Sequence, residues 1–447
     1  LRSCHSGYRC VFYVESFRCF MMYYADLHIH SRYSRATSKN LNLEELSIWA
    51  QRKGIDVVGS GDCLHPVWLK ELKEKLEPAQ KGLFKLKPEY EKNIRQQVPK
   101  ACRSDVRFML STEIANIYKK MDKVRKIHNV VFAPSFEAAE NIRGKLDKIG
   151  NLNSDGRPIL GLDSKNLLEI VLESDPFSFL VPAHIWTPWF SVLGSKGGFD
   201  RIDDCFDELT EYIFAVETGL SSDPIMNWRL SQLDRFVMMS NSDAHSAPKL
   251  GRESTIFDGE MSYPAMVDAM KNNTKALLGT VEFFPEEGKY HYDGHRNCDC
   301  RLHPKETIKN KGLCPKCGRP VTVGVMARVE ELADHDEGRK SPRWRPYYSL
   351  IPLPEVIGEA RGVGPNSKTV QGIYMKMLEN LGNELAILRE LPINEIRAVA
   401  GGLIAEGVKR VRDGQVQIAA GYDGEYGTIN IFSDEERNSS EDQMTLF

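Results

Sequence analysis

The sequence feature that most constrains this chain is a short apolar segment that ends in two histidines separated by one residue, Asp26-Leu27-His28-Ile29-His30. Successive side chains of a β-strand project to opposite faces, so His28 and His30 would point into the same cavity at the end of a strand. The pattern predicts a polynuclear metal site shared by several strand ends. Later candidate strands end in or near residues of the kind that bind metals, namely Asp62, His65, Glu113, His128, His184, Glu217, Asp243 and His245.

Length and charge bound what else the chain can be. It has 447 residues, which favours one large domain with one or two smaller ones. Its formal net charge is -3, so contact with nucleic acid would depend on local basic patches. No apolar run is long enough to cross a bilayer, and Arg9 and Arg18 interrupt any signal-type apolar region. We expect a monomeric protein of the cytoplasm with no membrane partner.

Between residues 22 and 284, short β-branched runs alternate with amphipathic stretches. This alternation predicts an α/β fold with a parallel barrel, in which chemistry is located at the carboxyl ends of the strands. The candidate ligands lie at those ends or just beyond them. Helices are expected over 43–53, 136–149 and 263–272, and strands over 23–28, 56–60, 107–111, 129–133, 179–183, 213–217 and 236–240.

Changes in composition divide the chain into five parts. The alternation stops at Pro285, cysteines and prolines follow, and helical patterns resume near residue 350, including one over 393–411. The acidic, serine-rich end is typical of disorder. The expected parts are an extension that is disordered or not native (1–21), a catalytic barrel (22–284), a Cys4 zinc-binding domain (285–349), a mainly helical DNA-binding domain (350–432) and a disordered acidic tail (433–447).

Four closely spaced cysteines form the second metal candidate. Cys298 and Cys300 are followed, after a short loop, by Cys314 and Cys317, and two such thiolate pairs suit tetrahedral Zn²⁺. Four thiolates leave no open position, so this zinc would be structural. Cysteines grouped in this way indicate metal binding in a reducing compartment rather than disulfide formation.

A Gly-rich turn between two helical patterns is a candidate DNA contact. Gly362 and Gly364 separate helices expected over 354–360 and 366–381, as in the helix-hairpin-helix motif, and Lys368 follows. Backbone N–H groups at such a helix start can bind a DNA phosphate. A simple connecting turn explains the same residues equally well. Arg343 and Arg345, in an aromatic stretch, are further DNA-binding candidates, although the aromatic residues could instead belong to a core.

The last five residues, Gln443 to Phe447, follow the acidic tail and end in two large apolar side chains. They resemble the peptides with which DNA repair and replication proteins bind the apolar pocket of the sliding clamp. We therefore expect the tail to bind a sliding clamp.

Taken in order, the strand-end motifs resemble those of the polymerase and histidinol phosphatase (PHP) superfamily. The resemblance implies a distorted seven-stranded β/α barrel with a phosphoesterase centre of two or three metal ions. This chain departs from many members after the second strand, where Asp62, Cys63 and His65 are alternative ligands. The motifs that carry the resemblance are Asp26 to His30, Glu113, His128, Pro182-Ala183-His184 and Asn241 to His245.

The imidazole and carboxylate set suits Zn²⁺, Mn²⁺ or Fe²⁺, and Glu113 could bridge two ions. We expect Zn²⁺ or Mn²⁺ in the barrel, with Mg²⁺ or Mn²⁺ as the ion used for activity. Such a centre hydrolyses phosphoesters by activating water and clamping the phosphate. The expected catalytic residues are Glu113, His184 and Asp243, and the metal candidates are His28, His30, Asp62, His65, Glu113, His128, His184, Asp243 and His245.

From Met22 onwards, the barrel, the cysteine quartet and the Gly-rich turn together resemble the endonuclease Q family. That resemblance implies a DNA repair nuclease that cuts 5′ of a deaminated base (uracil, hypoxanthine or xanthine) or an abasic site. The alternatives are a PHP enzyme acting on a small phosphate ester and a DNA-binding scaffold without catalysis. Residues proposed for a lesion pocket are Trp68, Asn116, Trp186 and Trp189.

Overall fold

A computed structural model describes residues 22–433 and residue 436 of the chain. The strands are β1 (Met22–Asp26), β2 (Val57–Gly59), β3 (Leu76–Pro78), β4 (Phe84–Leu86), β5 (Arg107–Lys120), β6 (Lys123–Ala133), β7 (Ile159–Leu160), β8 (Phe179–Pro182), β9 (Ala215–Glu217), β10 (Val237–Met239), β11 (Ser254–Asp258), β12 (Leu277–Glu282), β13 (Asp293–His295), β14 (Cys300–Leu302), β15 (Tyr347–Ser349), β16 (Gln417–Ala419) and β17 (Thr428–Asn430). The helices are α1 (Leu43–Lys53), α2 (Pro66–Lys75), α3 (Pro88–Ile94), α4 (Phe136–Leu146), α5 (Ser164–Ser174), α6 (Ile202–Phe206), α7 (Pro224–Asn227), α8 (Tyr263–Lys271), α9 (Pro304–Lys309), α10 (Val325–Leu332), α11 (Leu353–Ala360), α12 (Lys368–Leu381), α13 (Glu384–Arg389), α14 (Ile393–Ala400) and α15 (Gly402–Arg412).

Each strand predicted from the sequence is present, with shifted ends. Helix α1 has the predicted bounds because Asn42 caps its first turn by accepting from the Glu45 N–H at 2.9 Å. Gly54, with φ of 92°, ends it in the left-handed conformation that glycine adopts without strain. Local capping signals of this kind are readable in the sequence, and they fixed this helix.

The strands are arranged in a mixed sheet rather than the expected parallel barrel. Strands β1, β2 and β5 are parallel, but β11 and β12 join the sheet antiparallel, as do β6 and β8. Strands β9 and β10 form a separate parallel pair. The hydrogen-bonded ladder is not continuous through all of these strands, so the described residues form no closed barrel.

A long hairpin explains much of this difference. The sequence predicted two short strands over 107–111 and 129–133, whereas β5 and β6 pair along eleven residues from Leu110↔Ala133 to Lys120↔Lys123. Met121 and Asp122, both with positive φ, make a tight two-residue turn between them. A two-residue connection leaves no room for a crossover helix, so the two strands must be antiparallel.

The cysteine-bearing segment forms a small unit of its own and also returns to the main sheet. Strands β13 and β14 pair with each other, while β15 adds a parallel edge strand beside β12. The C-terminal hairpin β16–β17 covers the small unit, where the Tyr422 hydroxyl donates to Asp299 Oδ1 at 3.0 Å. This unit is therefore held between the large sheet and the end of the described chain.

Helices α11 to α15 form the C-terminal bundle. The single helix expected over 393–411 is wrong, because the chain breaks at Gly401, whose φ is 92° and whose φ and ψ lie outside the helical region. The result is a second helix-glycine-helix turn, between α14 and α15, in addition to the predicted one between α11 and α12. Among the described helices, none has the length and apolar character needed to span a bilayer.

A buried ion pair joins the bundle to the large sheet region. Lys53 Nζ at the end of α1 lies 2.8 Å from Glu384 Oε2 at the start of α13, and both side chains are buried. The Leu353 N–H and the Tyr374 hydroxyl also donate to this carboxylate, at 3.0 and 2.8 Å. One charged group thus orders the starts of α11 and α13 against the first helix of the chain.

We expect Lys53→Met to lower the free energy of unfolding by about 3–5 kcal/mol, because it leaves the Glu384 charge buried without its cation. The double variant Lys53→Met/Glu384→Gln should recover part of that loss, since no charge remains buried. Lys85→Met is the control: its partner Glu77 lies 3.3 Å away in an exposed pair, so its loss should stay below about 1 kcal/mol. Urea unfolding measures all three, and equal losses for Lys53→Met and Lys85→Met would contradict the role of the buried pair.

Candidate metal centre

His28 lies just beyond β1 and is held by a carboxylate behind it. Its Nδ1 is 2.9 Å from Glu217 Oε2 and 3.0 Å from Oε1. Glu217 is fixed in turn, because Asn241 Nδ2 and the His184 backbone N–H each donate to it at 2.8 Å. A carboxylate on one ring nitrogen orients the imidazole so that the other nitrogen faces the centre. Glu217 was a ligand-type residue in the sequence, and the structure gives it this supporting position.

His30 is held in the same way by Asp62. Its Nδ1 lies 3.3 Å from Asp62 Oδ1, and the other Asp62 oxygen accepts from the Ser31 N–H at 2.7 Å and from the Ser34 hydroxyl at 2.9 Å. The Nε2 of His30 lies 2.9 Å from Asp243 Oδ1. Asp62 therefore contacts the back of His30 rather than the centre itself.

Glu113, on β5, faces two groups of candidate ligands with its two oxygens. Oε2 lies 3.3 Å from His30 Nε2 and 3.6 Å from His28 Nε2. Oε1 lies 2.5 Å from His128 Nδ1 and 3.1 Å from His184 Nε2. In each group the donor atoms lie within 4.8 Å of one another, so each could hold a metal ion. The two groups are His28, His30, Glu113 and Asp243, and Glu113, His128 and His184.

The electrostatics of the centre favour a cation. Burial lowers the pKa of His28, but the Glu217 and Glu113 carboxylates outweigh it and raise that pKa well above the ordinary value. Burial raises the pKa of Glu113, and His128 and His28 more than offset it, so that pKa falls well below its usual range. Burial lowers the pKa of His128 to about 4. The buried carboxylates thus remain ionised and favour positive charge at the neighbouring His28 ring, and a divalent ion could supply that charge in place of the proton.

One orphaned atom tests the fit to a metal. His28 Nε2 is buried and has no hydrogen-bond partner among the described residues, although its other nitrogen is fully engaged. A buried polar nitrogen without a partner is costly, and a metal ion would satisfy it. The residues present therefore fit the metal centre that the sequence predicted.

Arg157 is a part of this centre that sequence reasoning missed. Its Nη1 donates to Glu113 Oε2 at 3.0 Å, and its side chain is partly exposed. The residue lies in a loop between α4 and β7, outside every motif, so only its position beside Glu113 reveals it. A guanidinium here can donate to an incoming phosphate.

Four sequence candidates do not join either group, namely Asp62, which lies behind His30, and Cys63, His65 and His245. His65 Nε2 lies 3.2 Å from the Asn153 carbonyl oxygen, and the His65 ring stacks on Tyr33. Cys63 is buried, and burial raises its pKa, which makes it an inert thiol rather than a thiolate ligand. His245 lies beside the centre, its ring 4.5 Å from that of His30, but its Nδ1 is 2.8 Å from the Asp243 carbonyl oxygen. Of the three alternatives after the second strand, none lies in a candidate metal group, and Asp62 contacts His30 from behind.

The cysteine site differs from the predicted Cys4 set in one member. The compact group contains His295, Cys298, Cys314 and Cys317, with Cys317 Sγ 3.4 Å from His295 Nδ1. Burial raises the pKa of Cys314, but the Lys316 and Cys317 N–H groups outweigh it and lower that pKa to about 6. Cys300 is not in that group, but it packs against Cys314 together with Leu302 and Val321. His295 ends β13, three residues before Cys298, and this spacing is the signal that was missed.

The DNA-binding candidates separate into two kinds. Gly362, with φ of 65°, and Gly364 lie in the turn before α12, and Lys368 is the first residue of that helix, after the Ser367 cap. Arg345, in contrast, donates to the carbonyl oxygens of Leu277, Asn273 and Thr274, which indicates a structural role. Arg343 precedes it in the same segment. The clamp-type residues Gln443 to Phe447 lie outside the described residues, so their role stays a prediction.

The fold and the site define a class: a mixed α/β protein with a buried imidazole and carboxylate centre, a Cys/His cluster and a helical C-terminal bundle. Residues 352–415, which include α11 to α15, match the family described as the MJ0043 C-terminal domain. The chain is 34% identical to the uncharacterised protein MJ0043 of Methanocaldococcus jannaschii over 256 residues, 55% of this chain and 31% of that protein. It is 30% identical to the uncharacterised protein YqxK of Bacillus subtilis, with 91% of this chain and 98% of YqxK covered.

Two solved structures are similar over nearly the full length. One is the lesion-specific endonuclease Q of Pyrococcus furiosus, with 30% identity, a TM-score of 0.79, and 94% of this chain and 99% of that chain covered. The other is endonuclease Q in complex with a 27-mer duplex that carries an abasic lesion at the active site, with 30% identity, a TM-score of 0.77, and 93% and 98% coverage. The chain belongs to the endonuclease Q family, and the family resemblance in the sequence is confirmed.

We expect His295→Ala to remove about one equivalent of zinc per chain, because it takes a donor from the compact group, whereas Cys300→Ser should leave the zinc content unchanged. Elemental analysis of the purified variants measures this. Loss of zinc from Cys300→Ser but not from His295→Ala would restore the Cys4 assignment.

Proposed function

We propose that this protein is a metal-dependent DNA endonuclease that hydrolyses the phosphodiester 5′ of a deaminated base or an abasic site. The observation that carries the proposal is the Glu113 carboxylate, whose two oxygens face two groups of candidate ligands in a chain of the endonuclease Q family. Lesion preference is supported by the relatives, one a lesion-specific endonuclease and another bound to a duplex with an abasic lesion.

The metal ions would be held by His28, His30, Glu113 and Asp243 on one side and by Glu113, His128 and His184 on the other. When bound, Zn²⁺ or Mn²⁺ in such a site polarises the phosphoryl oxygen and lowers the pKa of a water molecule, and Mg²⁺ or Mn²⁺ could take the same role during activity. Glu217 and Asp62 orient His28 and His30 from behind, which keeps the inward nitrogens of both rings directed at the substrate position.

Arg157 would act on the substrate directly. Its guanidinium lies beside Glu113 and remains partly exposed, so it can donate to a non-bridging phosphate oxygen as negative charge develops. The 3.0 Å bond to Glu113 fixes the group in advance, so little reorganisation is needed when the phosphate arrives.

Contacts to the DNA backbone would come from the C-terminal bundle. The turn before α12 carries Gly364, where an added side chain would meet open space, and Ser367 caps the helix start. Gly401 ends α14 and begins α15, and this second helix start has no side-chain cap. Backbone N–H groups at such helix starts bind phosphate without reading sequence. The duplex would thus be bound independently of its base sequence, and selectivity would come from recognition of the lesion.

The test is cleavage of end-labelled duplexes containing uracil, hypoxanthine or only normal bases, with Mg²⁺ or Mn²⁺. We expect the wild type to cut 5′ of the lesion, and Asp243→Asn to lose at least about 10³-fold in rate while it still binds DNA, because a ligand is lost but the backbone contacts remain. Asp268→Asn, on the exposed face of α8, is the matched control and should cut normally.

Three results would contradict the proposal. They are retained cleavage by Asp243→Asn, cleavage that does not depend on the lesion, and release of phosphate from a small ester at comparable efficiency. The last would favour the small-phosphoesterase alternative. A wild-type protein that binds no metal ion beyond the one at the Cys/His group would favour a non-catalytic scaffold.

A further inference from the structure

The β5–β6 hairpin carries two candidate ligands and then extends beyond the centre. Glu113 and His128 project from the same face, because Ala115 pairs with His128 and alternate residues share a face. The next pairs on that face towards the turn are Ile117↔Lys126 and Lys119↔Val124. From His128 to Lys123, at the end of the strand, is about 17 Å, so the ligand-bearing face continues well past the metal centre.

This part of the hairpin is basic. Asp122 is its one acidic residue. Lys120 and Arg125 point to the opposite face, where Lys120 Nζ donates to Asp207 at 3.0 Å and Arg125 lies over the Phe199 ring at 3.9 Å. The lysines Lys119 and Lys126 remain on the ligand-bearing face. A basic strip in line with a phosphodiester site is complementary to a nucleic-acid backbone.

Trp189 stands next to this strip and is 52% exposed. The Lys126 ammonium lies 4.8 Å from the centre of its ring. The adjacent ring, Phe190, lies 4.6 Å from the His128 ring, and the His128 N–H donates to the Phe190 carbonyl at 3.1 Å. The Thr187 hydroxyl donates to the Trp189 carbonyl at 2.9 Å and contacts His184 Nδ1 at 3.1 Å. The exposed indole therefore lies between Thr187 and Phe190 in the loop whose residues contact the candidate ligands His184 and His128.

The other lesion-pocket candidates are occupied. Trp68 and Trp186 are buried, and their indole N–H groups donate to the Gly61 carbonyl and to Asn227, both at 2.8 Å. Asn116 is buried, and its amide donates to the Leu162 carbonyl at 2.9 Å. Of the four residues proposed from the sequence, Trp189 alone has an exposed aromatic ring.

We propose that Trp189 is a positioning residue on which a base beside the scissile phosphate stacks, and that Lys126 and Lys119 contact the phosphates of that strand along the hairpin. This inference rests on the proposed function, because it assumes a nucleic-acid substrate. An exposed aromatic ring beside a cation is the arrangement that holds unstacked nucleotides without reading their sequence. A base displaced next to a flipped lesion is such a nucleotide.

The test compares Trp189→Ala, Trp189→Phe and Lys126→Met on a lesion duplex that carries 2-aminopurine beside the lesion. We expect Trp189→Ala to raise KM about 10- to 100-fold, with a smaller change in kcat, and to abolish the change in 2-aminopurine fluorescence on binding. Trp189→Phe should restore most of both, because it keeps an aromatic face. Lys126→Met should reduce the dependence of binding on salt by about one ion.

Trp344→Ala is the matched control. Trp344 is 41% exposed, and the Lys340 ammonium lies 4.1 Å from the centre of its ring. The neighbouring Arg345 donates to the Leu277 carbonyl at the start of β12. That end of the sheet is opposite the metal centre. It should cut like the wild type. Metal content is measured for every variant, because a structural role for Trp189 would lower it.

Unchanged KM and fluorescence in Trp189→Ala, with lesion cleavage intact, would overturn the stacking role and leave the proposed function standing. Loss of metal from Trp189→Ala together with a fall in kcat alone would also overturn it, since the ring would then support the centre and not the substrate. A wild-type protein that cuts no lesion duplex would overturn both.

Discussion

The structure depends on one buried carboxylate, Glu113, placed between two sets of imidazoles. Its two oxygens face different ligand groups, and Arg157 donates to one of them. Fully buried, this charge would be prohibitively costly without such partners. The carboxylate therefore requires β5, β6 and the loops after β1, β8 and β10 to converge. This convergence brings together the two groups of side chains that could each hold a metal ion.

Support for the centre comes from residues that do not belong to it. Glu217 holds His28 and the backbone of His184, and Asp62 holds His30 together with Ser31 and Ser34. His184 and Asp243 both adopt positive φ, a strained conformation that the surrounding hydrogen bonds maintain. The hydrogen bonds from Glu217 and Asp62 fix the ring orientation of each imidazole. That orientation cannot be inferred from the spacing of the residues along the chain. The loop that carries Trp189 is also fixed by the centre, because Thr187 contacts His184 and the Phe190 carbonyl accepts from the His128 backbone N–H.

Sequence reasoning succeeded where a local rule applies and failed where partners are distant. Helix α1 was predicted to the residue because its cap and its terminal glycine are adjacent to it in the chain. The helix over 393–411 was wrong because the prediction followed the apolar periodicity on both sides and passed over Gly401-Gly402, a local turn signal. His295 lies three residues before Cys298, but only the folded chain shows that it, rather than Cys300, completes the compact group with Cys314 and Cys317.

By itself, the sequence determined the types of the candidate ligands, their order and their placement near strand ends, because alternation along a strand and capping at helix ends are local properties. It also determined the family resemblance that the solved structures confirmed. Only the tertiary structure decided which of these residues share a centre, that β5 and β6 form one antiparallel hairpin, and that Asp62 stands behind His30 rather than beside it. Those outcomes depend on packing between segments far apart in the chain. Residue spacing does not show that Asp243 joins the candidate ligand group whereas Asp62 contacts the outer nitrogen of His30.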